Sequence, residues 1–138
     1  SMRSNQSCSS TDVVVHIADT IGEIQMLSQC ADLALVGKSF SPHRGGQTPL
    51  ELACLGVPMV YGPNMSNFRE ICEGLEAGSL SERCLDEDQA ICLIVDLLAN
   101  VDSLVKKRAL LQAWSHKNKG ALKVVIEQVN QFFAEEMV

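Results

Sequence analysis

Short apolar segments alternate with amphipathic segments along most of this chain. Three of these segments are four or five residues long and mostly aliphatic or β-branched, which is typical of strands buried in a sheet, whereas a fourth strand candidate has Leu80 and Cys84 as its only apolar residues. We predict strands at residues 13–17, 33–36, 58–61 and 79–84. Helices are predicted between and after them, at residues 20–30, 49–55, 67–76, 86–100, 102–118 and 121–136.

The order of these elements predicts the fold class. Strands that alternate with helices at this spacing form a parallel sheet with right-handed crossovers. We therefore expect an α/β fold, a Rossmann-like parallel sheet with flanking helices. The chain has 138 residues, 46% of them hydrophobic and 20% charged, which supplies one packed core and too little charge for disorder.

Four predicted helices begin with the same local pattern. A short polar residue that can cap the helix is followed three residues later by a carboxylate or an amide, as in a capping box. The four pairs are Thr20 with Glu23, Thr48 with Glu51, Asn67 with Glu70, and Asp86 with Gln89. Taken alone, this pattern favours a capping role for Glu23 and Glu51 over a ligand-binding role.

The net charge limits the partners that the chain can have. It carries 17 acidic against 11 basic residues, a formal charge of −6 with histidine neutral. Proteins that bind nucleic acid through its phosphates need a basic face, so we expect no nucleic-acid partner. No apolar run approaches the roughly 18–20 residues that span a bilayer, so we predict a soluble, cytoplasmic domain.

Residues 1–11 are polar and contain no apolar run that could act as a signal peptide. We interpret them as an expression scar followed by a flexible linker, and residues 12–138 as the folded domain. The six cysteines show no CxxC spacing and the three histidines are isolated from any cysteine pair, so a metal site is not expected. We expect the cysteines to be free, buried thiols.

One loop concentrates positive charge in this acidic chain. No acidic residue lies between Asp32 and Glu51, a stretch that contains Lys38, His43 and Arg44 and a glycine pair at 45–46. Glycines allow close approach of the backbone, and the helix that follows offers free N–H groups, so the loop suits an anion. The alternative is a tight turn with solvated cations. The glycine spacing excludes a Walker A loop and a dinucleotide fingerprint, and no catalytic residue can be identified.

Several motifs, in order along the chain, resemble the carboxyl-terminal half of bacterial 3-deoxy-D-manno-octulosonic acid (Kdo) transferases. They lie at residues 19–24, 31–37, 44–51, 62–64, 67–71 and 118–122. The resemblance implies the carboxyl-terminal half of a GT-B glycosyltransferase, a domain that binds the donor CMP-Kdo. It further implies transfer of Kdo to the lipid A precursor at the cytoplasmic face of the bacterial inner membrane. Acceptor binding, membrane association and the catalytic base would belong to an amino-terminal domain, and no cofactor or metal would be needed.

The resemblance also assigns binding roles to individual residues. The residues near the cytidine would be Ile21, Gly22 and Glu23. The residues near the ribose and phosphate would be Thr48, Pro49, Leu50 and Glu51. The Glu51 carboxylate would accept hydrogen bonds from the ribose hydroxyls. The backbone of Gly46 and Gln47 would contact the phosphate, and Arg44 and Asn67 the carboxylate and hydroxyls of Kdo. The chain departs from the family at Gln47-Thr48, where His-Asn is usual, and at Lys38, where glycine is usual.

Two other functions remain open from the sequence. The chain could be a stand-alone nucleotide-binding or regulatory module without catalysis. It could also belong to a GT-B nucleotide-sugar epimerase, which would use a UDP-linked sugar in place of a CMP-linked one.

Overall fold

The computed structural model describes residues 17–18 and 22–118 of the chain. Within them, three parallel strands form one sheet in the order β1-β2-β3. They are β1 (Ala34–Leu35), β2 (Met59–Tyr61) and β3 (Ser81–Arg83). Ala34 pairs with Met59, and Met59 in turn pairs with Ser81. The α/β prediction is confirmed, with strands shorter than predicted, while most of the predicted strand at 13–17 lies outside the described residues.

Helices follow each strand. They are α1 (Ile24–Gln29), α2 (Leu50–Leu55), α3 (Arg69–Ala77), α4 (Glu87–Ala99) and α5 (Val101–Asn118), with a short 3-10 turn at Ser66–Phe68 before α3. The helix predicted at 121–136 lies outside the described residues. No helix among the described residues is long and apolar enough to cross a membrane.

The central strand β2 organises the core because its side chains alternate between the two faces of the sheet. Met59 and Tyr61 point into a cluster built with α2, α3 and α5, whereas Val60 packs on the other face against α4. All three side chains of β2 are buried. The sheet is therefore covered by helices on both faces, as a parallel sheet requires.

Of the four predicted capping boxes, the one at α4 is confirmed, the one at α2 is partly formed and the one at Asn67 is wrong; the cap residue of the fourth lies outside the described residues. At α4, Asp86 Oδ1 accepts a hydrogen bond from the Gln89 amide at 2.8 Å, as predicted. At α2, Thr48 Oγ1 accepts from the Leu50 amide at 3.3 Å, but the Glu51 carboxylate forms no bond within the described residues. The predicted cap at Asn67 is wrong, because this residue lies within the 3-10 turn and α3 begins at Arg69.

The start of the first helix also differs from the prediction. Gly22 has a φ of +89°, which a helix does not accommodate, so α1 begins at Ile24 and not at residue 20. The expected cap residue, Thr20, lies outside the described residues. Glu23, the expected partner in that box, precedes the first residue of α1.

The cysteines are free but less buried than predicted. No disulfide joins the five described cysteines; Cys72 and Cys84 are buried, whereas Cys30, Cys54 and Cys92 are exposed. The expectation of buried thiols is therefore wrong for three positions, which lie on the solvent side of their elements. Within the described ranges, no group of three or more His, Cys, Asp or Glu side chains is arranged to hold a metal ion.

Candidate functional site

A cleft lies at the carboxyl edge of the parallel sheet, where the chain leaves β1, β2 and β3. Its volume is about 760 Å³, which falls within the ~300–1,000 Å³ usual for small-molecule sites. In open α/β folds this edge is the usual place for a ligand. The ionisable side chains that line the cleft are His43, Arg44, Arg69, Glu73, Glu76 and Arg83.

Two loops form one wall of the cleft. We call residues 37–48, which follow β1, the glycine loop, and residues 62–67, which follow β2, the asparagine loop. Asn64 joins them twice: its side-chain amide donates to the His43 carbonyl at 2.6 Å, and its backbone amide donates to the Ser39 carbonyl at 3.0 Å. Ser66 Oγ donates to the Arg44 carbonyl at 3.0 Å. These bonds fix the two loops as one layer.

Glycine is required where these loops touch. Gly46 has a φ of +70°, and a Cβ atom there would collide with the sulfur of Met65 in the asparagine loop. A Cβ atom on Gly62 would collide with the Ser39 carbonyl oxygen in the glycine loop. Larger residues at either position would therefore push the loops apart.

The glycine loop is also closed on itself by backbone hydrogen bonds. The Gly46 amide donates to the Lys38 carbonyl, and the Gln47 amide donates to the Gly37 carbonyl, each at 3.1 Å. These are the two backbone amides that the sequence predicted near a phosphate. In this conformation they are already satisfied, so a phosphate contact through either N–H requires the loop bond to open.

A buried hydrogen-bond network centred on Tyr61 supports the floor of the cleft. Its hydroxyl is 2.8 Å from both Glu76 Oε1 and Ser81 Oγ. A phenol has one proton, and donation of that proton to the carboxylate leaves Ser81 as the donor to Tyr61. Burial raises the pKa of Tyr61 well above its usual value; the bond with Ser81 opposes this rise, and Glu76 adds to it.

Arg83 connects this network to the cleft. Its Nε atom donates to Glu76 Oε1 at 2.9 Å, its Nη1 atom donates to the Pro63 carbonyl at 3.2 Å, and its guanidinium carbon lies 5.4 Å from the centre of the Tyr61 ring. Burial alone would lower the pKa of Arg83, but the hydrogen bond and negative charge of Glu76 raise it overall. Arg83 is therefore a fixed cation that ties β3 to α3 and to the asparagine loop.

The structure separates the residues predicted from the sequence into two groups. Arg44 lines the cleft, Gly46 and Gln47 belong to the glycine loop that forms part of its wall, and Asn67 lines a smaller pocket next to it. The other group lies at the starts of two helices and does not line the cleft. Gly22 and Glu23 precede α1. Thr48, Pro49, Leu50 and Glu51 lie at the start of α2. Ile21 lies outside the described residues.

The sequence analysis missed four charged residues of the cleft: Arg69, Glu73, Glu76 and Arg83. Three of them had a signal in the sequence, because positions 69, 73 and 76 share one face of a helix. Arg83 had none, since its place beside Glu76 depends on how β3 pairs with β2.

The comparisons with known proteins lead to one family. A 3-deoxy-D-manno-octulosonic acid transferase of Bordetella pertussis is 28% identical over 118 residues, covering 86% of this chain and 27% of that protein. The transferase of the same description from Chlamydia pneumoniae is 35% identical over 88 residues, covering 64% of this chain and 20% of the relative. The chain thus spans between a fifth and about a quarter of the length of these curated relatives. No protein-family model matches the chain.

Among solved structures, the chain is similar to the crystal structure of the C-terminal CMP-Kdo binding domain of WaaA from Acinetobacter baumannii. The TM-score is 0.65 at 26% identity, over 70% of this chain and 50% of that one. The resemblance predicted from the motifs is confirmed: the chain is similar to the carboxyl-terminal part of the Kdo transferases.

Proposed function

We propose that the chain is the donor-binding domain of a glycosyltransferase that takes Kdo from CMP-Kdo. The observation that carries this proposal is the similarity to a crystal structure described as a CMP-Kdo binding domain. The cleft at the carboxyl edge of the sheet supports it, because that edge is where α/β domains bind their ligands.

In this proposal the nucleotide binds beside the starts of α1 and α2. Glu51 is exposed in the first turn of α2, and its carboxylate has no protein partner within residues 17–18 and 22–118. It is therefore available to accept hydrogen bonds from ribose hydroxyls. Ile21, Gly22 and Glu23 would lie near the cytidine, and Thr48, Pro49 and Leu50 near the ribose and phosphate.

The Kdo part of the donor would extend from there towards the cleft. Arg44 would meet its carboxylate and Asn67 its hydroxyls, while Gly46 and Gln47 would lie along the phosphate. The two loops that carry these residues are joined by hydrogen bonds. These bonds fix the backbone of both loops, which lowers the entropic cost of binding, whereas the Gly46 and Gln47 amides would reach the phosphate only after their own loop bonds open.

The rest of the reaction completes the proposal. The lipid A precursor would be the acceptor, and transfer would take place at the cytoplasmic face of the bacterial inner membrane. Acceptor binding, membrane association and the general base would come from a domain that faces this one across the donor. The chain itself would bind and orient CMP-Kdo.

Calorimetric titration of the chain with CMP, with UMP and with a non-hydrolysable CMP-Kdo analogue tests the proposal. We expect CMP to bind and UMP to bind more weakly. Glu51→Ala should weaken CMP binding by roughly 10-fold, the usual size of a lost charge-assisted hydrogen bond. Glu87→Ala is the matched control, because Glu87 is an exposed glutamate in the first turn of α4.

The outcomes separate the three candidate functions. Absence of binding at millimolar CMP would contradict the proposal, and an unchanged affinity in Glu51→Ala would contradict the placement of the nucleotide. Preference for UMP would favour the epimerase. Binding of free CMP with no gain from the attached Kdo would favour a nucleotide-binding regulatory module.

A further inference from the structure

Two of the arginines that line the cleft have no acidic partner. Arg83 is paired with Glu76 at 2.9 Å, and away from the cleft Lys107 is paired with Glu82 at 2.8 Å. Arg44 and Arg69 are exposed, and their guanidinium groups form no hydrogen bond or ion pair with any residue that the structure describes. In a chain of net charge −6, two unpaired cations facing one cleft mark it as a place for an anion.

The position of Arg69 strengthens this reading. It is the first residue of α3, where the helix dipole disfavours a cation, and no side chain caps this helix start. Glu73 is one turn further along and also lines the cleft, yet the two side chains form no ion pair. A cation that precedes an anion by four positions is the weaker orientation for such a pair. An anion bound at Arg69 would be attracted by both the guanidinium and the start of α3.

We propose that Arg69 and Arg44 together bind the carboxylate of the donor's sugar, so that the cleft selects an acidic sugar over a neutral one. This inference rests on the proposed function, which leads the sugar from the glycine loop towards the cleft. A guanidinium presents its N–H groups as a planar fork that matches the two oxygens of a carboxylate. Arg69 is thus a specificity-determining residue; it lies within the motif at residues 67–71, but the resemblance assigned it no binding role.

Arg83 has a different role in the same cleft. Its Nε and Nη atoms already bond Glu76 and the Pro63 carbonyl. It is a positioning residue, which holds the asparagine loop and the third turn of α3 in place. Glu73 opposes the carboxylate, since it is the acidic residue of the lining that Arg83 does not neutralise.

Isothermal titration at low salt with CMP and with a non-hydrolysable CMP-Kdo analogue tests the assignment. In Arg69→Gln we expect the analogue to bind about 10-fold more weakly and CMP to bind as in the wild type, because one charge-assisted hydrogen bond to the sugar is lost. Glu73→Gln should bind the analogue more tightly than the wild type. Lys106→Gln is the matched control, since it removes one exposed cation from α5.

Free Kdo provides a measurement that does not depend on the nucleotide. Titrated into the wild-type chain, it should shift the NMR signals of the Arg44 and Arg69 Nε–H groups. In Arg69→Gln, which keeps only the first of these two groups, the shift of the Arg44 signal should be lost. If CMP fails to bind while free Kdo still gives these shifts, the proposed nucleotide site is wrong and the sugar assignment stands. Equal loss of CMP and analogue binding in Arg69→Gln, or no shifts with Kdo, would overturn the inference.

Discussion

The hydroxyl of Tyr61, at the end of the central strand, donates a hydrogen bond to Glu76 Oε1 on α3 at 2.8 Å. The same carboxylate oxygen accepts a hydrogen bond from Arg83 at the end of β3. One oxygen atom therefore joins two strand ends to the helix that lines the cleft. Because Tyr61 is fully buried, its ionisation reports directly on whether this junction is intact.

Tyr61 is the chain's only tyrosine, so its titration can be followed by phenolate absorbance without interference from another. Burial and the nearby Glu76 raise its pKa above the ordinary value of 10.0. The unfolded chain thus loses the phenolic proton near pH 10, whereas the folded chain keeps it. The stabilisation from Tyr61 is complete below pH 10 and decreases above it by about 1.4 kcal/mol per pH unit.

We expect no phenolate absorbance above pH 10 until the circular dichroism of the folded state is lost. The variant Tyr61→Phe isolates the contribution of the Tyr61 hydroxyl to the unfolding free energy, measured in urea. Because the wild type loses this contribution as pH rises above 10, the unfolding free energies of the two proteins should then approach each other. A phenolate signal with a midpoint near 10 in a chain that is still folded would show that the phenol is accessible to water, contrary to the structure.

Two glycines offer a matched test of the loop packing. At Gly46, alanine adds a Cβ atom against the Met65 sulfur at a φ of +70°, so Gly46→Ala should destabilise the fold by about 1–3 kcal/mol. At Gly74, within α3, a Cβ atom meets no atom within 4 Å, so Gly74→Ala should stabilise it by roughly 0.5–1 kcal/mol. Urea unfolding monitored by Trp114 fluorescence measures both. Equal effects in the two variants would mean that the loops do not pack as described.

The cysteines predict a pattern of chemical labelling. Cys30, Cys54 and Cys92 are exposed, and a maleimide should modify them in the folded chain. Burial raises the pKa of the Cys72 and Cys84 thiols, which disfavours the reactive thiolate in addition to blocking access. We expect these two to react only in denaturant, as measured by peptide mapping with mass spectrometry. Labelling of Cys72 without denaturant would indicate that α3 separates from the sheet.

The chain's sequence was sufficient for the fold class because the signals for it are local. The buried run at 58–61 and the Asp86 cap both act within a few residues, and both appear in the structure as predicted. The prediction of a helix cap failed where contacts with another loop, and not the local sequence, decide the conformation of a residue. Asn67 has the chemistry of a cap, but packing of the asparagine loop against Gly45 places it inside a 3-10 turn.

For the candidate site too, the sequence predicted the parts that depend on a continuous segment and missed the parts that depend on tertiary packing. The acid-free, glycine-rich stretch identified Arg44 and the loop around it from sequence alone, because composition along a continuous segment is visible there. The motifs shared with the Kdo transferases pointed to the family, and the comparisons confirm that similarity. Neither signal identified the cleft itself, whose charged lining comes from separate parts of the chain.

By itself, the sequence determined which segments become strands and helices and where positive charge is concentrated. Only the tertiary structure decided that Arg69 and Arg83 face the same cleft as Arg44. The physical reason is the parallel sheet: it places the carboxyl ends of its strands at one edge, so residues distant in sequence become neighbours there. The pairing of Arg83 with Glu76, which leaves Arg44 and Arg69 unpaired, exists only after that assembly.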